Sequence, residues 1–221
     1  MMKKIIKQIM PPIIMTAIKY IVKKLYYIRH LNREKKAQWY DASFENNEHW
    51  TFHYSQSRYY FLWTVIADRI TNCNAKAILD IGCGSGQFAS LLRDKGVVNY
   101  CGIDFSPKRI ALARKICPNL RFEIADVFKT DLFKTFEYDT IVSTEFLEHI
   151  KRDLMIIERI RSGVHFIGTV PNFPYTSHVR HFNNSDEVFR RYSKYFNAFC
   201  VDSFAANDKG SMYFILEGTK K

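Results

Sequence analysis

Residues 77–87 read Ala-Ile-Leu-Asp-Ile-Gly-Cys-Gly-Ser-Gly-Gln. A short apolar run carries one carboxylate, Asp80, and then breaks into glycine at every second position: Gly82, Gly84 and Gly86. An apolar run of this length bounded by glycine predicts a buried strand. Alternating glycines let the main chain turn sharply and bring its amides within reach of a ligand. The dinucleotide-binding spacing G-x-G-x-x-G is not met, because the third glycine comes one position early. A phosphate-cradling P-loop is excluded too, since no Gly-Lys-Ser/Thr follows.

The pattern beyond this loop alternates strand and helix. A helix is predicted from Gln87 to Lys95, closed by Gly96. A strand follows over residues 100–104, then a helix over 107–116 opened by Pro107, a residue that suits a first helical turn. Further strands are predicted at 121–125, 138–143 and 164–170, with a helical stretch after the fourth strand through Glu158. Two late strands, 198–204 and 212–218, are joined without a helix, which predicts one antiparallel strand at the edge. The sum is an α/β chain: seven strands, mostly parallel, helices on both faces and an antiparallel final strand. In an open sheet of this kind ligands bind at the carboxyl ends of the strands. Asp80, Asp104 and Asp126 fall at the ends of the first three strands.

"ILDIGCGSGQF", "YCGIDFSP", "FEIADVF" and "YDTIVSTEFLEHI" together resemble the motifs of class I S-adenosylmethionine-dependent methyltransferases. The resemblance runs over about residues 76–218 and implies a Rossmann-like fold. It also implies S-adenosyl-L-methionine as cofactor and S-adenosyl-L-homocysteine as product. The residues it assigns to the cofactor are Asp80, Gly82, Gly84 and Gly86 around the first loop, and Asp104 for the ribose hydroxyls. It further assigns Phe105 and Val127 beside the purine, Asp126 for the adenine amino group, and Thr144 after strand four. Arg58, on the helix before strand one, suits the cofactor's carboxylate, because guanidinium binds carboxylate bidentately.

Methyl transfer requires an aligned nucleophile and a group that takes its proton. His149 is the expected base, because imidazole titrates near neutral pH; Glu145 and His181 are expected to assist it. Glu145, Glu148 and His149 would share one face of a helix. This E-x-x-E-H pattern resembles ubiquinone-biosynthesis O-methyltransferases and small-RNA 3′-end 2′-O-methyltransferases, in which such a triad holds a divalent metal. The implied ligands are Glu145, Glu148, His149 and His181, with His178 also available in "SHVRHF".

Charge separates the candidate acceptors. Of the formal +11, residues 1–36 supply nine charges: ten Lys/Arg against Glu34 alone. The remainder is nearly neutral, which disfavours a phosphate-tracking surface and hence RNA. Within residues 1–36, Ile14, Ala17, Ile18, Ile21, Val22 and Leu25 recur at helical spacing. Residues 1–36 are therefore expected to be a basic extension whose amphipathic helix, over residues 13–28, lets residues 1–28 rest on a membrane face. Residues 37–75 are densely aromatic and read as a cap over the domain at 76–221. Five scattered cysteines without C-x-x-C spacing point to a reducing cytoplasm. "HYSQSRYYFLW" and "GTVPNFPYTSHVRHF" resemble methyltransferases of bacterial surface-polysaccharide pathways. The expected reaction is O-methylation of a small molecule or glycan precursor, by a sugar or phosphoryl-type oxygen. The rival readings are an RNA 2′-O-methyltransferase and a non-catalytic scaffold that binds a membrane or partner.

Overall fold

The computed structural model describes residues 14–16, 18, 21–22, 33–45 and 47–221. The basic helix expected across residues 1–36 therefore lies largely outside the described residues. Strands β1 (Ile78–Ile81), β2 (Tyr100–Asp104), β3 (Arg121–Ile124), β4 (Thr140–Ser143) and β5 (His165–Pro171) pair in parallel. β6 (Phe196–Ala205) and β7 (Met212–Lys220) complete a sheet of order β3-β2-β1-β4-β5-β7-β6. β7 is antiparallel to both of its neighbours. It thus lies inside the sheet rather than at the expected edge, which β6 occupies.

Successive residues of each central strand enter opposite cores, as the two-residue period of a strand requires. Leu79, Ile81, Cys101, Ile103 and Ile141 pack with helices α5 (Leu132–Thr135), α6 (Asp153–Arg159) and α7 (Ser185–Tyr192). Ile78, Tyr100, Val142 and Ile167 pack with α2 (Tyr60–Asn72), α3 (Gln87–Asp94) and α4 (Pro107–Ile116). Each fully buried Ile or Leu contributes roughly 1.5–3 kcal/mol, so the two cores anchor the sheet whose ends build the site. Local signals fix the helix starts. Ser106 caps α4 by accepting from the Arg109 amide, and Asn184 caps α7 by accepting from the Glu187 amide.

β1 and β4 are neighbours, with the chain running outward from them in both directions. This reversal of strand order opens a crevice at the carboxyl ends, the usual ligand position in such sheets. One expected element differs there. Residues 145–158 are not a continuous helix: Glu145 takes a left-handed φ of 51°, Leu147–His149 form a single 3-10 turn, and α6 starts only at Asp153. A non-glycine residue in that conformation interrupts any helix, so Glu145 does not share a helical face with Glu148 and His149.

Candidate active site

The first loop folds as its glycines demand. Gly82, Gly84 and Gly86 have φ of +81°, +56° and +80°, where a side chain would be strained. A Cβ on Gly82 would run into the Phe146 ring, and one on Gly86 would meet Ala113 at 2.9 Å. Gly86 lines neither of the cavities below; it lets α3 approach α4.

Two adjoining cavities, of about 520 and about 290 Å³, open over this loop and share Gly82, Asp104, Phe105 and Phe146. The smaller is lined by Ala125, Asp126, Val127 and Phe128, and the larger by Arg58, Asp80, Gly84, Thr144, Glu145 and His149. Asp104 accepts the Gly84 amide at 3.1 Å and the Ser106 amide at 2.8 Å. Those bonds aim its carboxylate into both cavities, where hydroxyls can donate to it. Asp80 accepts a 2.6 Å bond from the Tyr100 phenol, while its Oδ1 is buried without a partner. Burial pushes the Asp80 carboxyl up to about 7. An orphaned carboxylate oxygen beside a cavity suits an ammonium group. Asp126 accepts from the Phe128 amide at 2.9 Å. Arg58 donates to the Tyr59 phenol at 2.7 Å. The aromatic segment reaches over the loop: Ser85 donates to the Trp50 carbonyl, and the Gln87 amide to the carbonyls of His49 and Phe52. Helix α1 (Ala37–Glu45) is tied to α4 by Ser106 donating to Asp41 and by the Lys108–Glu45 ion pair. Trp50 lines the larger cavity.

On the opposite wall stands a buried cluster of Glu148, His149 and His178. Nδ1 of His149 donates to the Ser177 carbonyl at 3.0 Å, and Nδ1 of His178 to the Phe173 carbonyl at 3.1 Å. A carbonyl only accepts, so each ring holds its proton on Nδ1 and presents a lone pair on Nε2. Those lone pairs face Glu148 Oε1, at 3.5 Å from His149 and 4.0 Å from His178. Both Glu148 oxygens are buried without a hydrogen-bond partner. Two imidazole lone pairs and one buried carboxyl group thus converge. Burial lowers His149 to about 3 and His178 to about 4, and pushes the Glu148 carboxyl well above its ordinary range. Two neutral imidazoles oriented by carbonyls, with a carboxylate, form a ligand set that suits a divalent cation. The donor set is not the one expected. Glu145 turns away, its amide and its Oε1 both bonded to the Thr169 hydroxyl. His181 is exposed, and His178 takes the inward place.

Sequence reasoning also missed Arg180, which holds this wall together. It donates to the carbonyls of Leu147, Ile150 and Lys151 and lies 3.1 Å from the buried Asp153. Asp153 is also bonded by Arg191 and Tyr192. No local sequence signal marks Arg180, because its partners lie about thirty residues away.

Residues 53–199 match a family model described as a methyltransferase domain. No curated protein matches the sequence significantly. Solved structures share the fold. Magnesium protoporphyrin IX methyltransferase from Synechocystis PCC 6803 with bound SAM superposes with a TM-score of 0.56 at 16% identity, over 72% of this chain and 78% of that one. The N-methyltransferase NodS of Bradyrhizobium japonicum WM9, in complex with S-adenosyl-L-homocysteine, gives 0.57 at 14%, over 75% and 89%. The 1,6-didemethyltoxoflavin-N1-methyltransferase of Burkholderia thailandensis gives 0.55 at 18%, over 72% and 78%. Fold, cofactor crevice and family match together define a class I methyltransferase that uses S-adenosyl-L-methionine. The chain belongs to the family of that methyltransferase domain.

Proposed function

We propose that this enzyme methylates an oxygen of a small molecule or glycan precursor, with His149 receiving the proton. The observation that carries this reading is the His149 ring. Its Nδ1–H is held by Ser177, which leaves Nε2 as the accepting nitrogen of a residue that lines the larger cavity. When bound, S-adenosyl-L-methionine would supply a sulfonium methyl for in-line transfer to the acceptor oxygen, and His149 Nε2 would take the hydroxyl proton. Glu148 beside the ring offsets the charge of the imidazolium so formed. The cofactor residues proposed are Arg58, Asp80, Gly82, Gly84, Asp104, Phe105, Asp126, Val127 and Thr144. Two neighbours in fold carry the names of porphyrin and toxoflavin methyltransferases, which agrees with a small-molecule acceptor. The test is a screen of nucleotide sugars and glycan intermediates for methyl uptake. Full turnover in His149→Ala would remove the base assignment, and Asp104→Ala is expected to lose cofactor binding.

A second reading follows from the convergence of Glu148, His149 and His178. These residues would hold a divalent cation, whose chemistry is to acidify a hydroxyl bound to it. The supporting result is saturable uptake of Mn²⁺ or Zn²⁺, lost in His178→Ala; full activity in chelator with no metal by elemental analysis excludes it.

We also propose that the basic extension docks the enzyme on the inner, cytoplasmic face of a membrane. Ile14, Ile18, Ile21 and Val22 are helical and exposed, at spacings that share one face. No helix among the described residues is long and apolar enough to cross a membrane. All five cysteines are free, in keeping with a reducing compartment. Removal of residues 1–28 is expected to abolish flotation with anionic vesicles while cofactor binding persists. Loss of the fold on truncation would show instead that the extension belongs to the core.

A further inference from the structure

The larger cavity is lined by a buried cation, Arg109. Arg109, on the first turns of α4, is only 8% exposed, yet it has no ion pair among the described residues and its Nε is buried without a partner. A buried charge left unpaired costs several kcal/mol, so such a group marks a place where a ligand completes the structure. Its guanidinium lies 4.3 Å from the Trp50 ring centroid and 5.2 Å from that of Tyr40. His49 packs on the same indole at 4.2 Å. Trp50 Nε1 and His49 Nε2 are likewise buried and unpartnered. Three orphaned nitrogens thus gather around one indole on the cavity wall. Arg and Trp nitrogens can only donate, and the histidine has a donating tautomer. What satisfies such a corner is a group rich in acceptor oxygens.

The Arg109 charge acts on Asp104, but no ion pair joins the two, and Asp41 takes the Ser106 hydroxyl. The cofactor does not serve both arginines either. It brings one carboxylate, and the cavity is lined by both Arg58 and Arg109. One guanidinium is surplus to the cofactor.

We propose that Arg109, Trp50 and His49 form an anion-binding subsite for the acceptor, so that the substrate carries a carboxylate or phosphate. This inference rests on the acceptor reading above, in that it assigns part of the larger cavity to the acceptor. It does not depend on His149 as base.

The test uses the full-length protein loaded with S-adenosyl-L-homocysteine and titrated calorimetrically with benzoate in one arm and phenyl phosphate in the other. At least one probe should bind, and the preferred arm identifies the anion. Arg109→Gln should weaken that probe at least tenfold while changing homocysteine-product affinity less than twofold. Arg109→Lys should recover part of the loss, and Arg58→Gln should show the inverse pattern. Thermal melting confirms that each variant is folded. Absence of binding by both probes overturns the proposal. So does a tenfold loss of product affinity in Arg109→Gln, which would give Arg109 to the cofactor's own carboxylate. Failure of the base assignment would read differently: an active His149→Ala enzyme with probe binding unchanged.

Discussion

The Tyr100 phenol donates a 2.6 Å hydrogen bond to Asp80 on the neighbouring strand, and the other Asp80 oxygen is buried beside the cofactor crevice without a partner. Burial raises the carboxyl from 3.8 to about 7 in the folded protein. The folded state therefore holds a proton that the unfolded chain releases. The stability tied to that proton is complete below about pH 4 and is lost as pH rises through 7. Asp80→Asn removes the titration while keeping the shape. Its melting temperature relative to the natural protein should climb from pH 5 to about 7 and level off above, with weaker product affinity throughout. Product binding at pH 6 should release protons, read as a dependence of calorimetric heat on buffer ionisation. A difference in melting that stays flat with pH would mean Asp80 is ionised in the folded state.

Gly82 and Gly96 separate backbone strain from crowding. Both have positive φ, +81° and +92°, but a Cβ on Gly82 enters the Phe146 ring and one on Gly96 meets nothing within 4 Å. Gly96→Ala should cost only the strain, on the order of 1 kcal/mol, and leave product affinity intact. Gly82→Ala should cost about 1–3 kcal/mol and displace Phe146, which both cavities share, so product affinity should fall at least tenfold. Equal affinity in the two variants would show that Phe146 does not shape the crevice.

The crevice around the glycine loop was legible in the sequence because it is local. Gly82, Gly84, Asp104 and Asp126 each lie at the end of a strand whose apolar run and terminating loop are contiguous, so register along the chain becomes register along the sheet edge. The opposite wall was not, because its groups meet through long separations. His178 faces Glu148 only because the segment after β5 folds back on the turn after β4, and Arg109 meets Trp50 across nearly sixty residues. Helical spacing suggested a single face for Glu145, Glu148 and His149, but the left-handed Glu145 broke that period. Helix α7 carried a readable start in Asn184-Ser185-Asp186-Glu187, an N-cap with acids in the first turn, yet its apolar stripe is only Val188 and Tyr192. The edge position expected for β7 failed because hairpin strands carry no mark of which one joins the parallel sheet.

Arg180 ties the segment after β5 to the turn that bears His149, through three carbonyls and Asp153. Arg180→Met removes those three bonds and one of the two cations from the buried Asp153, a change expected to cost about 3–5 kcal/mol. Arg191→Met removes only the other cation. The two variants should both melt lower, but only Arg180→Met should shift the imidazole resonances of His149 and His178. Unchanged imidazole spectra in Arg180→Met would show that the turn holds its shape without this residue.

Glu148 is fully buried, both of its oxygens lack a partner, and two imidazole lone pairs face it. Such a residue costs stability and persists where it serves a site. Glu148→Gln keeps the volume and supplies two N–H donors, which the Nε2 atoms of His149 and His178 can accept. The variant should therefore melt higher than the natural protein, by a shift worth about 1–2 kcal/mol. It should also lose methyl transfer, because the imidazolium formed at His149 no longer has a neighbouring carboxylate, and Mn²⁺ uptake should vanish with it. Cofactor affinity should be unchanged, since Glu148 lines neither cavity. A variant that melts lower yet transfers methyl groups normally would show Glu148 to be a packing residue, with its carboxyl protonated and donating within the cluster.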